Sequence, residues 1–352
     1  GWDFGTNDNN PQITSGNHGV FVTGLAAAHT DNGLGISGVG FNVKYLPIKI
    51  ADHNELLING YEAIVYASEH GAHIINLSWG GKMLSGSSFE QDVVNYVTFN
   101  RGCLIVAAAG NDGNEIPFYP ASYKNVLSVS MTDATDAKVA SSSYGYNVDI
   151  AAPGGNVYST IQGNSYTSSS GTSFASPITA ACAAIVKSYF PAFSPLQIAE
   201  RLRVTADIID TMSTNITYYN LFGSGRVNLY RALSDNEIPS IRLMNVDFIG
   251  KSPNQIKAGD TIFLNAEFKN YLAPTQSLMV KLKSLSSHVS ILDSIHAYGS
   301  VGSLVSFSNP TLYRIIVHQD IPIDEMLDFK FEFSANHLHI PKISFRSAAF
   351  GL

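Results

Sequence analysis

The chain is predicted to be an α/β protein, with a parallel sheet covered by helices on both faces, followed by a separate all-β sandwich. Three observations predict this. Residues 18–235 alternate short apolar runs with helical patterns, as βαβ units do. From Ile238 onward helical periodicity disappears, and short strand-like runs follow one another between turn signals. The 352 residues are 45% hydrophobic and 14% charged, which is enough apolar material for two cores and argues against disorder.

Taken in order, Tyr45–Ile50 reads as a strand, Leu56–His70 as a helix, His73–Ser78 as a strand and Phe89–Asn100 as a helix. Leu104–Ala109 and Val126–Met131 are short apolar runs with the length of buried strands. Thr172–Tyr189 has few polar positions, is rich in Ala and stops before Pro191, which marks a buried helix. Ser194–Arg203 and Leu229–Ala232 complete the helices. Asn, Glu and Pro cluster over Asp235–Pro239 and divide the chain into domains 1–235 and 236–352. In the second domain Ile241–Ile249, Thr261–Phe268, Leu278–Leu282, Val289–Leu292, Tyr313–His318, Asp328–Phe333 and Ile340–Phe345 read as strands. Ala258-Gly259-Asp260 and Ser308-Asn309-Pro310 are among the turns between them.

The net charge of −7 and the lack of a basic run argue against nucleic acid as a partner. No apolar stretch is long enough to span a membrane. The start Gly1-Trp2-Asp3-Phe4 lacks Met and suggests a processed or trimmed product. Cys103 and Cys182 both lie in apolar runs and read as buried free thiols.

Four segments carry candidate chemistry. In Gly171-Thr172-Ser173-Phe174-Ala175-Ser176-Pro177 a serine stands in the first turn of a buried helix, where the dipole favours developing negative charge. Ser and Thr are also ordinary caps. In Asn17-His18-Gly19 a histidine opens an Ala/Gly-rich helix; it can act as a base or simply start that helix. Ile105–Gly113 is a strand ending in a Gly/Asn turn, where Asn111 either makes the turn or points its amide at a reacting carbonyl. Ile74–Gly81 ends in Ser78-Trp79-Gly80-Gly81, an edge able to pair with an extended peptide.

His18-Gly19, Ala107–Asn111, Ala152-Pro153-Gly154 and Gly171–Pro177, in that order, resemble the subtilisin-like serine proteases (subtilases, peptidase S8). Tyr119-Pro120-Ala121 and Gly223–Asn228 resemble further segments of that family, and the likeness covers residues 1–234. It implies a subtilisin-like fold and a secreted or cell-surface serine endopeptidase acting on polypeptides. Ser173 would be the nucleophile, His18 the base and Asn111 the oxyanion donor. Ser78, Trp79 and Gly80 would flank the substrate backbone. Phe118, just before the family's cis-proline position, would floor the first specificity pocket and restrict it to small residues. The second domain resembles the immunoglobulin-type modules appended to secreted proteases.

The family's third catalytic residue is an aspartate ending a strand upstream of the histidine, and no such strand occurs among the 17 residues before His18. Three readings stand side by side. An upstream segment or another chain supplies the aspartate; the chain is a catalytically dead scaffold that binds peptides; or Asp3, Asp8 or Asp31 substitutes. The sheet is expected to lack a strand and to leave an open edge. The usual Thr-His after His-Gly is here Val20-Phe21. No cofactor is required. His29–Ile36 resembles the family's calcium loop, in which Asn32 and the carbonyls of Thr30, Leu34 and Ile36 would be ligands. His337 and His339 share a strand face, too few ligands for a metal.

Overall fold

The computed structural model describes residues 1–13, 15–52, 56–250, 256–322, 325, 327–335 and 338–346. The reading of His337 lies outside these residues, and the side chain of His339 is likewise not described. The chain forms two compact units, Gly1–Leu233 and Ser234–Leu352.

The first unit runs β1 (Trp2–Asp3), α1 (His18–Ala27), β2 (Ile48–Lys49), α2 (Gly60–Glu69), β3 (Ile74–Leu77), β4 (Gly81–Lys82) and α3 (Ser88–Asn95). After a π-turn at Tyr96–Asn100 come β5 (Leu104–Ala108), β6 (Phe118–Tyr119), β7 (Val126–Thr132), β8 (Ile150–Pro153), β9 (Val157–Ile161) and β10 (Ser165–Ser169). Helices α4 (Thr172–Tyr189), α5 (Pro195–Val204) and α6 (Leu229–Ser234) follow.

The main sheet is parallel, in the order β3-β5-β7-β8. Every residue of β5 is buried, as expected of a strand covered on both faces. Leu104 and Val106 point into a core shared with α4 and α5. Ile105 and Ala107 alternate to the opposite face and meet Ile64 and Ala67 of α2 and Val94 of α3. Cys103 belongs to this second layer and Cys182 to the first, both as free thiols.

Several boundaries differ from expectation. The Tyr45–Ile50 strand shrinks to β2, which pairs in parallel with β1 rather than with the main sheet. Pro47 has no N–H to give a ladder, which limits its N-terminal extension. The helix expected from Leu56 starts only at Gly60, because Asn59 adopts a left-handed conformation (φ 51°) that no helix continues through. Strand β8 and the antiparallel hairpin β9–β10 were not expected. Ala-Ala-Pro carries little strand propensity, and tertiary pairing decides β8; Val157–Ile161, by contrast, is rich in strand formers. Strand β3 is terminal in the sheet, and only alternate residues of it are fully buried. Its outer edge bonds to no strand among the described residues.

The second unit is antiparallel throughout. One sheet is β11 (Ile241–Ile249), β12 (Thr261–Asn270), β17 (Tyr313–Val317) and β14 (Val289–Ile291), with β16 (Ser306–Ser308) also on β12. The other is β15 (Ile295–Val301), β13 (Thr275–Ser284), β18 (Asp328–Ala335) and β19 (Leu338–Arg346). Ile262, Leu264, Ala266 and Phe268 alternate inward from β12 to meet Phe329, Phe331 and Phe333, the arrangement of a sandwich core. Strands β15 and β16, with Gly299 and short Ser-rich runs, were not expected. Phe331 meets Phe268 edge-on, with ring centroids 4.9 Å apart. Phe331→Ala is expected to destabilise this unit by about 3–5 kcal/mol. Denaturant unfolding would contradict that with a loss below about 1 kcal/mol.

Candidate active site

Gly171 leads into α4, and Ser173 is the second residue of that helix. Its N–H is one of the helix-start amides that no intrahelical carbonyl accepts. No side chain at the Gly171 cap position serves the helix. A remote residue does so instead. Asn111 Oδ1 accepts the Thr172 N–H at 2.8 Å and the Thr172 hydroxyl at 3.0 Å. Thr172 Oγ1 in turn accepts the Gly110 N–H at 3.2 Å. With its oxygen held by Thr172, Asn111 has its amide nitrogen left as the group that can donate, and that nitrogen has no partner among the described residues. The end of β5 and the start of α4 are thus locked together by one amide.

Pro177 lies inside α4 and cannot donate to the carbonyl four residues back, which belongs to Ser173. The Ser78 hydroxyl donates there instead, at 2.7 Å. The Ser173 hydroxyl donates to the Ser78 carbonyl at 3.2 Å, so in this conformation it is turned toward β3 and not toward His18.

His18 opens α1. Its neighbour Asn17 makes no side-chain cap; Asn17 Oδ1 accepts the Gln162 N–H at 2.9 Å, at the tip of the β9–β10 hairpin. The Ser159 and Thr160 hydroxyls donate to the carbonyls of Phe21 and Val20. Gly24 is required for this fit, since a Cβ there would lie 2.3 Å from Thr160 Oγ1. His18 is exposed, and its ring lies against Phe174, with centroids 5.7 Å apart. Partial desolvation holds its pKa below the ordinary imidazole value. No carboxylate bonds it among the described residues. A ring-proton NMR titration is expected to give a midpoint below that ordinary value; a midpoint above it would reveal a carboxylate partner. Because the folded state binds the proton less tightly than the unfolded state, acidification through this range weakens the fold.

His18, Asn111 and Ser173 line one cavity of about 260 Å³, together with Ser78, Trp79, Gly80 and Phe118. Leu57, Ala108 and Thr172 complete its wall. These three were not singled out in the sequence. Thr172 stands inside the serine motif but shows its use only through Asn111, and Leu57 was assigned to a helix. Trp79 is anchored outside the cavity too: its indole meets Tyr61 edge-on at 5.9 Å and packs over Gly60, where a Cβ would lie 2.7 Å from the ring. After β3 the chain pairs antiparallel with Phe118–Tyr119, Gly81 opposite Tyr119 and Lys82 opposite Phe118. The Phe118 ring stands between two glycines. A Cβ on Gly80 would lie 2.5 Å from it, and one on Gly110 2.9 Å. The Tyr119–Pro120 bond that follows is cis.

Two of the three candidate substitutes, Asp3 and Asp8, are engaged elsewhere. Asp3 is buried on Lys49 at 2.7 Å and accepts the Gly5 N–H, which holds its pKa low despite burial. Asp8 accepts the Asn10 N–H, and Asp31 sits in an exposed loop. In that loop Asn32 Oδ1 accepts the Leu34 N–H at 3.0 Å, so the one side-chain oxygen of the expected calcium set is turned into the loop itself. With the carbonyls of Thr30, Leu34 and Ile36 this makes about four neutral oxygens, short of the six to eight that calcium takes. The set does not by itself fit the ion. No group of three or more His, Cys, Asp or Glu is placed to hold a metal among the described residues.

A parallel sheet, a serine at a helix start and a histidine and an asparagine on the same cavity define an α/β unit of the serine-protease class. The profile of the subtilase family (Peptidase_S8) matches residues 1–230, and the chain belongs to that family. It is 41% identical over 238 residues to thermitase of Thermoactinomyces vulgaris, covering 66% of this chain and 80% of that protein. It is 40% identical over 236 residues to a thermophilic serine proteinase of Bacillus sp. (strain AK1), covering 66% of this chain and 56% of the relative. Among solved structures, a protease from Pseudoalteromonas arctica PAMC 21717 aligns with a TM-score of 0.55 at 30% identity, over 62% of this chain and 70% of that one. Subtilases are serine proteases with polypeptide substrates. No helix among the described residues is long and apolar enough to cross a membrane.

Proposed function

We propose that this chain is the nucleophile-bearing part of a secreted serine endopeptidase. Ser173 attacks the peptide carbonyl, and His18 takes the hydroxyl proton and returns it to the leaving amine. The Asn111 amide nitrogen and the Ser173 N–H bind the oxyanion. The observation that carries this reading is Asn111 itself: its oxygen is spent on Thr172, so a donor and not an acceptor is left on the cavity beside Ser173. For the reaction, the Ser173 hydroxyl leaves the Ser78 carbonyl and turns to His18. Ser78-Trp79-Gly80 flank the extended substrate, and Phe118 between Gly80 and Gly110 restricts the first subsite to small residues. An aspartate from a segment or chain seated along the free edge of β3 completes the triad. The second unit serves as an immunoglobulin-type accessory module.

A second reading, a catalytically silent peptide-binding scaffold, is favoured by one observation, the absence of a carboxylate bonded to His18 among the described residues. A fluorophosphonate probe separates the two. Labelling of wild-type chain that is lost in Ser173→Ala supports the protease. No labelling even with the aspartate-bearing segment supplied, with extended peptides still bound, sinks it and leaves the scaffold.

A further inference from the structure

We infer that Asn76 and Ser176 are positioning residues for the nucleophile, joined to it through Ser78 in a relay whose direction is fixed. The inference rests on the protease reading of Ser173. Ser176 is fully buried on α4, one turn beyond Ser173. Its hydroxyl donates to Asn76 Oδ1 at 2.7 Å. Asn76 is on β3, and that bond orients its amide so that Nδ2 faces Ser78, donating to Ser78 Oγ at 3.0 Å. Having accepted from Asn76, the Ser78 hydroxyl points its proton at the Ser173 carbonyl, 2.7 Å away. That carbonyl needs an outside donor because Pro177 cannot serve it. The Ser78 carbonyl closes the circuit by accepting from the Ser173 hydroxyl.

The relay pins the first turn of α4 to the end of β3 at the residue that must present both a nucleophile and an oxyanion N–H. A helix start unpaired on this side would be free to rotate, and displacements of about 1 Å at a reacting atom can cost as much as 100-fold in rate. Direction matters as much as shape. Aspartate is the same size as Asn76 but has no proton to give. It would draw the Ser78 hydroxyl toward itself and leave the Ser173 carbonyl without a donor.

The test compares Asn76→Asp, Ser176→Ala and Ser176→Thr with wild type in the 352-residue chain with the aspartate-bearing segment supplied. Rates are normalised to sites titrated by a fluorophosphonate, so that unfolded protein does not count. Asn76→Asp and Ser176→Ala are expected to lower kcat per titrated site about tenfold with KM within about twofold, and Ser176→Thr, which keeps the hydroxyl, to restore it. The backbone carbonyl ¹³C shift of Ser173 reads the Ser78 hydrogen bond whether or not the chain hydrolyses anything. It is expected to move in Asn76→Asp and to hold in Ser176→Thr. An unchanged carbonyl shift, or unchanged kcat per site in Asn76→Asp, overturns the inference. Wild type that fails to react while the carbonyl shift still moves instead overturns the protease reading and the catalytic use of the relay, leaving only its geometry.

Discussion

A strand ending in aspartate, supplied along the free edge of β3, is expected to raise kcat of this chain by roughly 10⁴-fold. The site of action follows from the sheet. Strand β3 leads directly into Ser78, which lines the cavity with His18 and Ser173. A parallel strand added beside it would end at the same side of the sheet, where α/β proteins gather their functional groups. A carboxylate there would fix the His18 tautomer and steady the imidazolium formed during attack, neither of which any described residue does. The measurement is kcat of the 352-residue chain with and without the segment, in cis or co-expressed. The His18 pKa supplies an independent sign: desolvation alone holds it low, and a neighbouring negative charge would push it up. A rate and a titration midpoint that both stay put would refute the idea.

Replacing Phe118 by glycine is expected to invert specificity at the first subsite. Its ring fills the space between Gly80 and Gly110, so removing it opens a slot between two walls that carry no side chains of their own. Burying a substrate phenyl group in such a slot contributes about 2–3 kcal/mol, or roughly 30–150-fold in kcat/KM. The ratio of kcat/KM for substrates with Phe and with Ala before the scissile bond is the proper readout, since loss of stability cancels in it. Wild type should prefer Ala, and Phe118→Gly should prefer Phe. A variant that keeps the wild-type ratio would show that Phe118 does not shape this subsite.

Much of the layout was legible because it rests on local signals. The Ala-rich run after Ser173 and the apolar run at Leu104 announce α4 and β5 through burial on all sides. Strand β8 was invisible because Ala151, Ala152 and Pro153 have no preference for strands; β7 recruits them by pairing. The hairpin that grips the start of α1 was missed although Val157-Tyr158-Ser159-Thr160-Ile161 is rich in strand formers; its partner Ser165–Ser169 carries a weaker signal. At the site, residue types and order pointed to His18, Asn111 and Ser173. Their supports were not legible, since Thr172 holds Asn111 across 61 positions and Asn76 meets Ser176 across 100. Such distances are closed only by the packed fold. The Leu56 error has the opposite cause: helical apolar spacing is real there, but a single left-handed Asn59 overrides it.

The two buried thiols turn the first unit into its own reporter. Cys103 is 1% exposed in the core under α2 and α3, and Cys182, on α4 itself, is 3% exposed in the core that α4 and α5 share with the opposite face of the sheet. Neither is near enough to a surface to react while its layer stays closed, and burial pushes both thiols up, away from the reactive thiolate. A thiol reagent applied under mild denaturation therefore times the opening of each layer separately, by mass, with no label introduced. The sandwich contains no cysteine and stays silent in the same trace. Since α4 is tied to four strands, the Cys182 face is expected to yield last.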